Sequence, residues 1–142
     1  MLNALVNGIV DAIDTEFGNG YPVFKKEVEQ ALVEPCFSVR IVNPTIQLIV
    51  GNRYLRKNLV AVHYFPQNYG DYEEINGVFE RLFSILEYIK VSGKTTRGTN
   101  PDPRVEDGVG IFLIHYDFFV YKTEVDGDTM EQLTIEDVKV KE

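Results

Sequence analysis

The sequence is poor in the residues that carry most protein chemistry. It has no tryptophan, one cysteine, two histidines and two methionines in 142 residues. Cys36 on its own can form no intramolecular disulfide, and neither a CxxC pair nor a Cys/His zinc spacing occurs. A lone thiol fits a reducing compartment. There is no phosphate-binding loop, no GxSxG nucleophile turn and no HExxH helix. No apolar run approaches the roughly 18 residues that a membrane helix needs. Met1 to Phe17 contains Asp11, Asp14 and Glu16 but no Lys or Arg, so a signal peptide is not expected there. Bases are scarce as well: 14 Lys plus Arg against 22 Asp plus Glu gives a net charge of −8. Proteins that grip nucleic acid phosphates carry the opposite sign.

What is present suits one globular domain, which typically runs about 100–200 residues. Hydrophobic residues reach 44% and charged residues 25%, with nine Phe and eight Tyr, so aromatic rings must dominate the core or an interface. Leu2, Leu5, Val6, Ile9, Val10, Ile13 and Phe17 recur at steps of three and four, and Gly18-Asn19-Gly20 stops the helix they predict. A short strand is expected at Tyr21 to Lys26; Glu27 to Glu34 is ambiguous, and Pro35 ends it. Cys36 to Val42, Thr45 to Val50 and Arg53 to Phe65 read as strands, separated by the turn signals Asn43-Pro44 and Gly51-Asn52.

The second helix starts at Asp71, with Glu74 at the capping-box position. Its stripe is Ile75, Val78, Phe79, Leu82, Leu86 and Ile89, while Glu73, Glu80, Arg81 and Glu87 face away. Gly77 is either a close-approach point or of no consequence. Beyond Ser92-Gly93 three strands are expected: Lys94 to Thr99, Arg104 to Asp107 after a Pro101-Asp102-Pro103 turn, and Val109 to Thr123 after the Asp107-Gly108 hairpin signal. Residues 124–142 hold seven acids and two lysines and read as an acidic tail. Leu133, Ile135, Val138 and Val140 suffice for that tail to add a strand to another chain's sheet. The fold class is therefore α+β, an antiparallel sheet with two helices packed on one face, in a domain of residues 1–123.

The helices should cover the Phe112, Ile114 and Tyr116 face. The reverse face, which would be polar if it met only water, carries Leu59, Ala61, His63 and Phe65 from one strand and Ile111, Leu113, His115 and Phe119 from another. Such a patch marks a protein partner, unless the N-terminal strands or the tail fold over it. Arg53, Arg56 and Lys57 cluster at a strand start, either to meet an acidic neighbour or to protect a sheet edge. Lys94, Arg97 and Arg104 give the later strands a second basic group, suited to a partner or to plain solvation. These twelve polar and apolar positions (Arg53, Arg56, Lys57, Leu59, His63, Phe65, Lys94, Arg97, Arg104, Leu113, His115 and Phe119) form the candidate subunit or tube interface. His63, His115 and Asp117 make up the one combination suited to a metal or acid–base site, although interface histidines with satisfied hydrogen bonds are commoner. No catalytic residue, metal or cofactor is expected.

The runs Glu34-Pro35-Cys36-Phe37, Gly51-Asn52-Arg53-Tyr54 and His63-Tyr64-Phe65-Pro66 resemble those of small tail-terminator proteins of contractile-tailed phages and prophages of Gram-positive bacteria. The likeness continues through Glu73-Glu74-Ile75-Asn76, Leu86-Glu87-Tyr88-Ile89, Arg97-Gly98-Thr99 and Asp107-Gly108-Val109, and covers most of residues 1–123. A related phage-tail-like bacteriocin would look the same. The resemblance implies a structural virion protein at the tail–neck junction, assembled in the host cytoplasm. Its copies would form a ring, usually six-fold, that caps the tail tube and stops tube and sheath growth. The implied partners are further copies, the tube protein, the sheath protein and head–neck connector proteins, with no membrane. DNA would pass the lumen without specific binding. Another neck or tail-completion protein is the alternative, and a small ligand-binding or metal-dependent module a more distant one.

Overall fold

Two long alternating runs pair with each other and set the frame. In the computed structural model, which describes residues 2–25, 34–124 and 131–135, β4 (Arg53–Phe65) and β7 (Val109–Glu124) run antiparallel in unbroken register from Arg53 opposite Tyr121 to Tyr64 opposite Gly110. β-Branched and aromatic residues at alternate positions favour this pleated pairing. The other elements are α1 (Leu2–Phe17), β1 (Val23–Phe24), β2 (Cys36–Ile41), β3 (Thr45–Val50), α2 (Tyr72–Ile85), β5 (Tyr88–Val91), β6 (Lys94–Glu106) and β8 (Glu131–Ile135). The curled sheet has the order β1-β2-β4-β7-β6-β5, with β3 added to β4 and β8 to β7. The fold is thus α+β with two helices, as the sequence pattern implies.

One sheet face carries the main core. Phe37 and Val39 of β2, Val60, Val62 and Tyr64 of β4, and Phe112, Ile114 and Tyr116 of β7 are all buried there. Leu5, Ile9 and Ile13 of α1 and Ile75, Phe79 and Leu82 of α2 close over them, which is the helix-on-sheet packing that both apolar stripes demand. Phe17, Phe37 and Tyr64 form a chain of tilted rings with centroids 4.8 and 4.9 Å apart. Two hydrogen-bond clusters fix the ends of α2. At its start the Asp71 side chain accepts from the Glu74 amide at 3.2 Å. The Glu74 carboxylate in turn accepts from the Tyr64 hydroxyl at 2.6 Å and from the Gln67 and Asn68 amides at 2.7 and 3.2 Å, which pins the helix to the end of β4. At its finish the Tyr116 hydroxyl donates to the Leu86 carbonyl, and the Gly98 amide to the Glu87 carbonyl at 2.7 Å.

Two sequence expectations are corrected. Ile89 is not on the helix: α2 stops at Ile85, with Leu86 as its cap, and Tyr88–Val91 is strand β5 paired to β6 through a turn at Ser92-Gly93, where φ is 52° and 80°. Leu86 and Ile89 fit a helical stripe, but Ile89 and Val91 also fit the alternation that the hairpin uses. The Pro101-Asp102-Pro103 run is not a turn between two strands. It lies inside the single strand β6, where the register against β7 slips between Thr99 and Asp102. Such a bulge tolerates prolines because ladder hydrogen bonding is already interrupted there. Residues 131–135 pair with this chain's own β7 as strand β8. The ambiguous stretch is outside the described residues from 26 to 33.

Two glycines in helices have opposite meanings. A Cβ at Gly8 would collide with the Lys90 carbonyl of β5, so α1 lies against that strand only because position 8 has no side chain. A Cβ at Gly77 would meet nothing within 4 Å. Gly8→Ala is expected to destabilise the protein by about 1–3 kcal/mol, since overpacking outweighs the gain in helix propensity. Gly77→Ala should stabilise it by about 0.5–1 kcal/mol. Denaturant unfolding of both variants measures this; equal signs would contradict the packing described.

Candidate assembly surfaces

Strand alternation sorts the candidate interface residues. Arg53, Lys57, Leu59, His63 and Phe65 of β4 share the face that the helices do not cover, with Leu113, His115 and Phe119 of β7 beside them. Arg104 of β6, opposite Ile111, joins the same face. Arg56 does not: it points to the helix-covered side, so the basic cluster seen in sequence is split between two faces. Lys94 and Arg97 lie further along β6, where it pairs with β5. Three of these six cations have a partner. The Arg53 guanidinium sits 4.1 Å from the centroid of the Phe119 ring, and Lys57 stands opposite Asp117. Arg104 donates to Asp102 at 2.8 and 3.2 Å, and Arg97 reaches Glu87 at 3.4 Å.

The reverse face is half-buried rather than open. Ala61 and Phe65 are buried, and Leu59, His63, Ile111, Leu113, His115 and Phe119 are intermediate. Cys36, Phe65 and Val109 make a small second core, with Phe24 and Ile111 packed on it. A run of exposed aliphatic side chains lies elsewhere, on β3. Ile46, Leu48, Ile49 and Val50 are 46%, 54%, 44% and 63% exposed. The sequence reading missed this because β3 looks like any other buried strand; only its place at the edge, paired to β4 alone, leaves both of its sides open.

β3 belongs to an arm. Beyond Asn58 and Tyr116 the sheet continues as β3, the start of β4, the end of β7 and β8. On the helix-covered side of that arm Arg56 stands opposite Ile46, and Tyr54 opposite Leu48. The Arg56 Nε is buried without a hydrogen-bond partner among the described residues, and desolvation lowers the guanidinium pKa. At the root Asn58 is fully buried, its side-chain amide donating to the Tyr116 carbonyl at 3.0 Å. Across the molecule, α2 presents Glu80 and Phe83 outward, with Phe83 39% exposed, and Glu87 follows just past the helix end. Phe83 and Glu87 line a groove of about 540 Å³ with Arg97, the Gly98–Pro101 stretch of β6, and Phe112 and Ile114.

Little here can do covalent chemistry. His63 and His115 are four strand positions apart, on neighbouring strands, opposite Ile111 and Leu59. That separates their backbones by about 13 Å, with side chains standing parallel to one another and not converging. No group of three or more potential metal ligands occurs among the described residues. The Cys36 thiol is buried, and desolvation, with a smaller contribution from Glu34, pushes its pKa to about 11, so it is a neutral packing group. Among the described residues no helix is long and apolar enough to cross a membrane.

The described residues thus present half-open sheet faces, an edge arm and a groove beside α2. A family model described as phage tail terminator protein matches residues 4–128, and the chain belongs to that family. The family is structural rather than catalytic, and its members are tail components of the virion that interact with other tail or neck proteins. A search of the curated proteins found no match.

The titration of buried groups gives a test of the packing. Burial holds the Tyr116 phenol protonated, and burial together with the hydrogen bond to Glu74 does the same for Tyr64. Their folded pKa values, like that of Cys36, exceed the unfolded ones of about 10 and about 8.5. The folded state therefore holds more protons in alkali, and this part of the stability is present below about pH 8.5 and is lost progressively above it. Thermal unfolding should move to lower temperature from about pH 8.5 upward, and Cys36 should resist alkylation at pH 8 until the protein unfolds. Stability unchanged up to pH 11, or stoichiometric labelling of the native thiol, would contradict the burial described.

Proposed function

We propose that this tail terminator works as a homo-oligomeric ring, six-fold as is usual for such proteins, that caps the finished tail tube. The cap stops tube and sheath growth and offers its other side to the head–neck connector proteins. The particle is a contractile-tailed phage or prophage of a Gram-positive host, or a related bacteriocin, put together in the host cytoplasm. The observation that carries the ring is the exposed apolar strand β3, at the opposite sheet edge from the groove beside α2. Two unlike sticky surfaces on one subunit generate head-to-tail contacts, and such contacts close into rings.

Net charge supports the same reading. A channel that passes DNA must not hold it, and a subunit of net charge −8 repels phosphates wherever its acids face the lumen. The half-buried reverse face, with Leu59, Leu113, His115 and Phe119, supplies a broad surface for the tube protein. Purified protein mixed with tail tubes and imaged by negative-stain electron microscopy tests this. Density capping one end of each tube, with tube lengthening arrested, is the expected result. Tubes that keep growing, or protein bound along their sides, would contradict it.

A further inference from the structure

We infer that the arm of one copy docks, through β3 and Arg56, onto the outward side of α2 and the adjoining β6 groove of the next copy. This inference rests on the proposed ring and names its contact. The arm offers a particular chemistry. Ile46 and Leu48 are 46% and 54% exposed, and both lie on the side where the Arg56 guanidinium is half-buried. From Thr45 to Lys57 there are three bases and no acid. A guanidinium whose buried Nε has no hydrogen-bond partner is costly in an isolated subunit. The surface that would satisfy it must be apolar, to cover Ile46 and Leu48, and must bring a carboxylate.

The chain carries such a surface itself. Phe83 is exposed on α2 between Glu80 and, just past the helix end, Glu87, and it borders the groove whose lining includes Phe112 and Ile114. From Tyr72 to Glu87 there are four glutamates and one base, Arg81, so the charge is opposite to that of the arm. Arg81 is already held by Glu16 at 2.9 Å, whereas no ion-pair partner of Glu80 occurs among the described residues. The sheet order puts the two surfaces at opposite edges, with β3 outside β4 and the groove beyond β7 at β6. An arm therefore cannot reach its own groove without crossing the sheet, and the occupant of each groove is a neighbouring copy. The contact is heterologous, with β3 of each copy seated on the next.

Self-association of the full chain, followed by light scattering and native mass spectrometry, tests this with four proteins. Wild type should form the ring. Leu48→Asp removes the arm's apolar contact and Glu80→Arg reverses the charge of the groove rim, and both residues are exposed, so circular dichroism should show an unchanged fold. Each variant alone should be monomeric. Their equimolar mixture should stop at dimers, since only one arm and one groove remain intact per pair. Arg56→Met should weaken association on the order of tenfold or more while leaving the melting temperature unchanged or higher, which a purely structural arginine would not do. A ring that survives both single variants, or a mixture that stays monomeric while wild type closes, overturns this docking and leaves the ring standing. A wild type that remains monomeric at every concentration removes the ring itself.

Discussion

The pairing of β4 with β7 is the constraint on which the rest depends. Its twelve opposed residue pairs run from Arg53 and Tyr121 to Tyr64 and Gly110. At about 3.3 Å per residue this ladder is roughly 40 Å long, while only its lower half lies beneath the helices. The lower half buries Val60, Val62, Phe112 and Ile114 and provides stability. The upper half is free to serve as an arm. Phe118 and Val120 are buried on it, outside the helix-packed core that ends at Tyr116, while β3 alongside is exposed at every position. One strand pair thereby joins a folded body to a contact surface, and no loop has to order when the contact forms.

That division explains the absence of reactive geometry. The histidines are spread along the ladder, the thiol is neutral and buried, and Arg53, Arg81, Arg97 and Arg104 are held by carboxylates or rings. Among the described residues, what remains unsatisfied includes exposed apolar surface, the Arg56 Nε and the buried Asn58 Oδ1. The proposed ring would cover the apolar surface and bring a carboxylate to the guanidinium. A tail terminator has to recognise its neighbours and hold, so surface shape and charge are its functional groups.

Much of this was legible in the residues. The steps of three and four from Leu5 to Phe17 mark α1, and β2, β3, β4 and β7 begin where alternation begins. Asp71 caps α2 as its spacing implies, although the Glu74 carboxylate serves the β4–α2 connection and the Tyr64 hydroxyl rather than returning to the cap. Three features were hidden for physical reasons. Ile89 satisfies helical and strand periodicity alike, so a local pattern cannot choose between them. Pro101 and Pro103 signal a turn wherever a ladder is regular, and only the bulge opposite β7 makes them acceptable inside β6. Gly8 looks like a defect in a helix until the Lys90 carbonyl is seen against it. For the surfaces, alternation does separate Arg56 from Arg53 and Lys57, but the exposure of β3 depends on which strand ends up at the edge, and that is set by tertiary pairing.

Amide hydrogen exchange on the assembled particle against the free subunit measures the central claim most directly. Slowed exchange confined mainly to residues 45–50 of β3 and to residues 80–87, the last turns of α2 and its cap, is the predicted outcome. Unchanged exchange at both, with protection gained only on the half-buried reverse face, would show that copies meet through that face and that the arm is not the contact.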